Sequence, residues 1–118
     1  MNRARAEARG RRAEGWAALY LRAKGWRILA RRARVGHGEV DIIARRGRTI
    51  AFVEVKWRAD AATLTDAIHA HSLRRVVAAA EILAPRYAKT TDQVRIDAIL
   101  LAPWRWPHHL PHIWVKEG

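Results

Sequence analysis

The chain has 118 residues, half of them hydrophobic, no cysteine, and a formal net charge of +12. That length holds one core, so residues 1–118 read as a single domain. Without cysteine there are no disulfides or thiolate metal sites, which fits a reducing cytoplasm; no apolar run approaches the roughly 20 residues of a membrane span, and the arginine-rich start lacks a secretory apolar core.

The charge is unevenly spread. Residues 1–34 carry eleven Arg or Lys against Glu7 and Glu14, a balance of +9 that leaves +3 for the remainder. Nucleic acid is the first partner to consider, because arginine and lysine displace condensed counterions from phosphates. A solvated basic face is the bland alternative. An anionic membrane fits less well, since the basic residues surround the helix instead of forming one stripe.

Residues 1–5 are expected to be disordered. From Ala6 to Lys24, Ala13, Trp16, Ala17, Tyr20 and Ala23 recur at helical spacing, with Trp16, Leu19 and Tyr20 read as core and Gly25 as the stop. Glu14 lies within a turn of that face. Trp26, Ile28 and Leu29 open a strand to about Ala33, and Gly36-His37-Gly38 makes a turn whose glycines allow close approach of a ligand or a bulge before Asp41. His37 reads as a polar turn residue.

Next comes GEVDIIARRGRTIAFVEVKWR, residues 38–58, two β-branched runs around a glycine turn and thus a hairpin. Side chains alternate along a strand, so Glu39 and Asp41 share one face of the first strand and Glu54 and Lys56 one face of the second, where the four groups can converge. Charges among Val53, Val55 and Trp57 need compensation. An internal ion pair among Asp41, Glu54 and Lys56 is one solution. The other is a metal site, in which Asp41 and Glu54 offer hard oxygens suited to Mg²⁺ or Mn²⁺ and Lys56 stands beside the ion.

A loop is expected over residues 59–64, then a helix capped by Thr65-Asp66 and ended at Pro85, its core stripe formed by Leu73, Val76, Val77, Ala80, Leu83 and Ala84. Arg74 and Arg75 fall off that stripe. His69 and His71, two apart on a helix, diverge and make no metal pair. Val94 to Leu101 is a strand. The tail, residues 103–118, is expected to pack on the sheet through Trp104, Trp106 and Trp114, with residues 113–115 as a short edge strand. His108, His109 and His112 invite a zinc reading, which lacks a fourth ligand before Glu117.

Asp41 followed by Glu54-Val55-Lys56 resembles the PD-(D/E)XK signature of restriction-endonuclease-like nucleases, and the longer string, GEVDIIA then FVEVKWR, resembles the YraN family of small bacterial proteins assigned to that superfamily. Arg95-Ile96-Asp97 is similar to the family's Arg-Phe-Asp. The resemblance covers most of residues 10–114 and implies an α/β fold, a restriction-endonuclease-like three-layer sandwich with a central mixed β-sheet flanked by helices. It further implies a Mg²⁺- or Mn²⁺-dependent deoxyribonuclease cutting phosphodiester bonds, with branched, junction or single-strand-containing DNA as a candidate substrate. Asp41, Glu54 and the Val55 carbonyl would hold the metal, with Glu14 and Glu39 as further candidates and Lys56 assisting the water. Glu14 matches the family's N-terminal helix glutamate. Arg11, Arg12, Arg45, Arg46, Arg48, Arg58, Arg74 and Arg75 are the candidates for DNA contact. One departure stands out: where the family often has a lysine or glutamine early in the second helix, this chain has His69, His71 and Ser72.

Two readings compete with the nuclease: a non-catalytic nucleic-acid-binding accessory protein retaining the fold, and a small partner of an acidic protein or RNA surface. Resolving a junction would require two active sites, and hence a homodimer.

Overall fold

The computed structural model describes residues 3–59 and 70–115, with side chains for 10–59 and 73–113. The Thr65-Asp66 cap, His69, Glu117 and most of the loop after Arg58 lie outside these residues, as do the side chains of His71, Ser72 and Trp114.

Among the described residues, five strands form one sheet in chain order: β1 (Arg27–Val35), β2 (Gly38–Arg46), β3 (Thr49–Trp57), β4 (Gln93–Leu101) and β5 (His108–Val115). Neighbours are antiparallel except β3 and β4, which are parallel and therefore need a crossover. Helix α2 (Ala70–Tyr87) provides it on one face, while α1 (Arg3–Ala23) covers the other. Period-two alternation sorts the sheet's side chains between them. Ala51 and Val53 join Ala17, Ala18 and Leu21 of α1, whereas Ile50 and Phe52 join Val76, Ala80 and Leu83 of α2. The result is the expected three-layer sandwich with a mixed central sheet.

Helix α1 begins at Arg3, and Met1 and Asn2 lie outside the described residues. Its C-terminus follows the glycine signal. Gly25 adopts φ 90°, its N–H donates to the Arg22 carbonyl, and the Trp26 N–H donates to the Leu21 carbonyl at 2.9 Å, satisfying carbonyls that a helix end leaves open. The buried stripe is rotated from the expected one. Ala13, Ala17, Ala18 and Leu21 face the sheet, while Trp16 and Leu19 are 65% and 55% exposed. Small residues win the interface because they let the helix lie close to the strands.

Helix α2 turns its predicted stripe to the sheet, burying Val76, Ala80, Leu83 and Ala84 together with Ala79 and leaving Leu73 and Val77 partly buried, but it passes through Pro85 to Tyr87. Pro85 stands in the last turn with Glu81, whose carbonyl loses its helical donor, on the same exposed face, so solvent can serve that carbonyl. Gly38 has a different role from the one expected. A Cβ there would lie 2.4 Å from the Ala79 backbone nitrogen, so the glycine admits α2, not a ligand. The β2–β3 turn places Gly47 at φ 60°, as a two-residue hairpin turn requires.

The tail enters the sheet as a full edge strand, longer than the predicted residues 113–115. Trp104 and Trp106, expected to cover the sheet, are 102% and 90% exposed. What pins β5 is polar: fully buried Asp97 accepts the His112 N–H at 3.2 Å, lies 2.7 Å from His109 Nε2, and pairs with Arg95 at 3.0 Å. Burial alone would raise this carboxyl, but the His109 hydrogen bond, the Arg95 charge and the His112 amide hold it below the ordinary range. Arg95 also donates to His112 Nε2 at 2.9 Å. His109 and His112 thus serve a bulge in β5 opposite Asp97, which explains them without zinc.

Candidate active site

Ladder pairing of β2 with β3 runs from Arg46↔Thr49 to Ile42↔Val53 and stops there. Beyond that point Asp41 replaces the ladder: its Oδ2 accepts the Val55 N–H at 2.7 Å. On the other side of β2, Arg32 opposes Asp41 in the register and adopts φ 54°, a conformation uncommon for a residue with a Cβ. Val40 and Ile43 then fall in the same cluster, so strict alternation breaks around Asp41. The splayed strands open a polar pocket of about 190 Å³ lined by Glu39, Asp41, Glu54, Val55, Lys56 and Arg75. Because the Val55 side chain packs toward α1, its backbone is the part that faces this pocket.

Lys56 Nζ lies 3.1 Å from Glu54 Oε1, so that half of the internal ion pair is formed. Even so, burial holds Glu54 above the ordinary carboxylate range against the pull of Lys56. Asp41 is likewise raised by burial, against the Val55 hydrogen bond and Lys56. Glu14, almost fully buried on α1, is raised by burial and then by the Asp41 charge. Arg32 Nε stands 3.4 Å from Glu14 Oε1, an ion pair misaligned for a hydrogen bond, so that buried oxygen accepts no hydrogen bond among the described residues. Three carboxylates therefore resist ionisation together, which a divalent cation would relieve. Hard oxygens suit Mg²⁺ or Mn²⁺, which need only one or two carboxylates from the protein. Among the described residues no group of three or more His, Asp or Glu forms a ready metal cage.

Glu39 stands apart as a ligand candidate, because Arg75 of α2 and Arg34 of β1, at 3.4 Å, both pair with it. Arg32 and Arg34 are site residues that the sequence reading passed over. Folding the string about Gly36-His37 sets Arg34 opposite Glu39 and Arg32 opposite Asp41, a signal that was there to find.

The arginines divide. Arg74 and Arg75 border a hollow with His37 next to the pocket. Arg11 and Arg12 are exposed on α1. Arg45 is turned into the fold, pairing with Asp92 at 2.7 Å and donating to the Tyr87 carbonyl, so it is not free for DNA. Arg46 lies over the Trp26 ring at 4.6 Å. Arg46 and Arg48 flank the hairpin turn, about 20 Å from Glu54 at strand rise. Arg58 donates to the Trp57 carbonyl. Among the described residues, no helix is long and apolar enough to cross a membrane.

The profile of the uncharacterised protein family UPF0102 matches residues 13–101. A UPF0102 protein of Sphingopyxis alaskensis is 63% identical over 97% of this chain and 98% of its own, and one of Rhizorhabdus wittichii is 57% identical over 95% of each. Among solved structures, Archaeoglobus fulgidus Hjc, a Holliday junction resolvase, matches with TM-score 0.61 at 20% identity, covering 85% of this chain and 73% of that one. At that identity the likeness establishes the restriction-endonuclease-like fold alone.

Proposed function

The chain belongs to the uncharacterised protein family UPF0102, and from that premise we propose that it is a metal-dependent DNA endonuclease, with branched or junction DNA as its substrate. The observation that carries this reading is the splaying of β2 from β3, with Asp41, Glu54 and Lys56 in one pocket. A fold shared with a junction resolvase supports it, as does the +12 charge.

Asp41, Glu54 and the Val55 carbonyl would hold Mg²⁺ or Mn²⁺, with Glu14 beside the same charge cluster. When bound, the ion supplies Lewis-acid polarisation of the phosphate and a more acidic water. Lys56 hydrogen-bonds the attacking water or a non-bridging phosphate oxygen, and Glu54 fixes its amine in place. Glu39 holds Arg75 at the lip, where the guanidinium meets a phosphate of the strand. Because Asp41 takes its hydrogen bond from a backbone amide, its orientation does not depend on a mobile side chain.

The test is cleavage of labelled branched, nicked, single-stranded and duplex DNAs in Mg²⁺ or Mn²⁺ by wild type, Lys56→Ala and Glu54→Ala, with binding followed in parallel. Cutting should fall roughly a hundredfold or more in both variants while binding persists. A wild type that binds but cuts nothing would instead favour the accessory protein. Junction resolution further requires a dimer in sedimentation.

A further inference from the structure

On the α1 side of the sheet lies a larger hollow, about 550 Å³, between the N-terminal half of α1, the ends of β3 and β4, and the β4–β5 loop. Its volume is within the roughly 300–1,000 Å³ of ligand sites. Trp16, Trp57 and Trp106 line it, and Arg12 and Arg105 flank them. Trp16 and Trp106 are mostly exposed, an arrangement that costs hydrophobic free energy unless a partner covers them. Among the described residues, no acidic side chain lines the hollow.

Two pairs of consecutive residues tie this hollow to the pocket. Lys56 points to the carboxylates and Trp57 to the hollow; Glu14 is coupled to Asp41, and its neighbour Ala13 lines the hollow. A polynucleotide passing around the end of the sheet would meet both. Aromatic faces with flanking arginines suit unpaired bases, which stack irrespective of sequence while the guanidiniums take the phosphates. Duplex bases are already stacked on one another. A second copy of this chain fits less well, since an isologous contact would bring the arginine-flanked hollows of two +12 chains together.

We propose that this hollow binds a single-stranded DNA segment by stacking its unpaired bases on the exposed Trp16 and Trp106, so that the substrate joins duplex to an unpaired strand. The proposal rests on the reading that the chain acts on DNA, but its test does not need cutting.

Affinities of the full chain for a labelled oligo-dT, for an abasic oligomer of equal length and for a duplex are measured in EDTA, alongside sedimentation. Trp16→Ala/Trp106→Ala changes two mostly exposed side chains and should fold normally. It should bind oligo-dT roughly ten- to a hundredfold more weakly, with duplex affinity little changed. Wild type should hold the abasic oligomer about as weakly as the variant does, and Trp106→Phe should keep much of the oligo-dT affinity. Unchanged oligo-dT binding in the double variant, equal losses on duplex, or tight abasic binding would each overturn the proposal. So would a dimer that falls to monomer in the variant while oligo-dT binding stays intact, which would make the hollow a self-association surface. Duplex binding without any oligo-dT preference sinks the hollow and leaves the nuclease reading standing; oligo-dT preference without cleavage does the reverse.

Discussion

Gly38→Ala should loosen the whole α2 layer, although the change adds one methyl group. The new Cβ would meet Ala79 at 2.4 Å from its nitrogen, 2.7 Å from its Cα and 2.9 Å from its Cβ, where ordinary contact begins at 3.4 Å. The helix must therefore retreat by about 1 Å, the step from 2.4 to 3.4 Å, because backbone atoms cannot rotate aside. Overpacking typically costs about 1–3 kcal/mol, and a clash with backbone belongs at the upper end. For a domain of this size 3 kcal/mol is a fall of roughly 12 °C in Tm. Arg75 sits one helical turn before Ala79, so the retreat also draws it from Glu39, and a displacement of that size can lower activity about a hundredfold. Gly10→Ala is the matched control. It lies within α1 with nothing inside 4 Å of an added Cβ, so alanine should raise Tm by roughly 2–4 °C through helix propensity. Thermal and urea unfolding of the two variants decide the matter. A Gly38→Ala protein melting with wild type would refute the claim that this glycine sets the helix–sheet distance.

Asp41→Asn should separate charge from shape at the pocket. Burial raises the Asp41 carboxyl, so its contribution to stability is complete below about pH 4 and is lost as pH rises through the raised folded value. Without metal, the variant should therefore melt above wild type at neutral pH and converge with it in acid. Millimolar Mg²⁺ or Mn²⁺ should stabilise wild type by about 2.7 kcal/mol at a hundredfold excess over Kd, and the variant much less; an equal metal shift in both would place the ion elsewhere. Replacing Arg3, Arg5, Arg9 and Arg11 with glutamine should flatten the salt dependence of DNA binding by about 2–4 in log–log slope, and an unaltered slope would remove this segment from the interface.

The hairpin, the second helix and the grouping of Asp41, Glu54 and Lys56 were legible because period-two and helical patterns report directly on which side chains share a face. Other features depended on partners distant in the chain. Nothing local to Trp16 says that Ala13, Ala17 and Ala18 offer α1 a closer seat on the sheet. Gly38 was legible as special, but its reason, Ala79, lies forty-one residues away. Asp97 stood out only through the Arg95-Ile96-Asp97 string, and two of its partners, His109 and His112, come from a part of β5 that the residues of the tail did not announce. Pro85 read as a stop, since a proline penalises the helix interior far more than an exposed last turn.

The sheet has two outer strands, and both are poor templates for another chain. Along β1, Arg27, Arg31, Arg32 and Arg34 crowd the outer rim, a bulge shifts the register between Ile28 and Ala30, and Arg32 turns left-handed. On β5, Pro111 lacks an N–H, and His112 is left-handed inside a second irregularity. Charge, proline and bulges are the means by which edge strands avoid recruiting further strands. At high concentration this protein should resist sheet-to-sheet polymerisation, and any symmetric pairing of two copies has to use helices or loops instead of a continuous ten-stranded sheet.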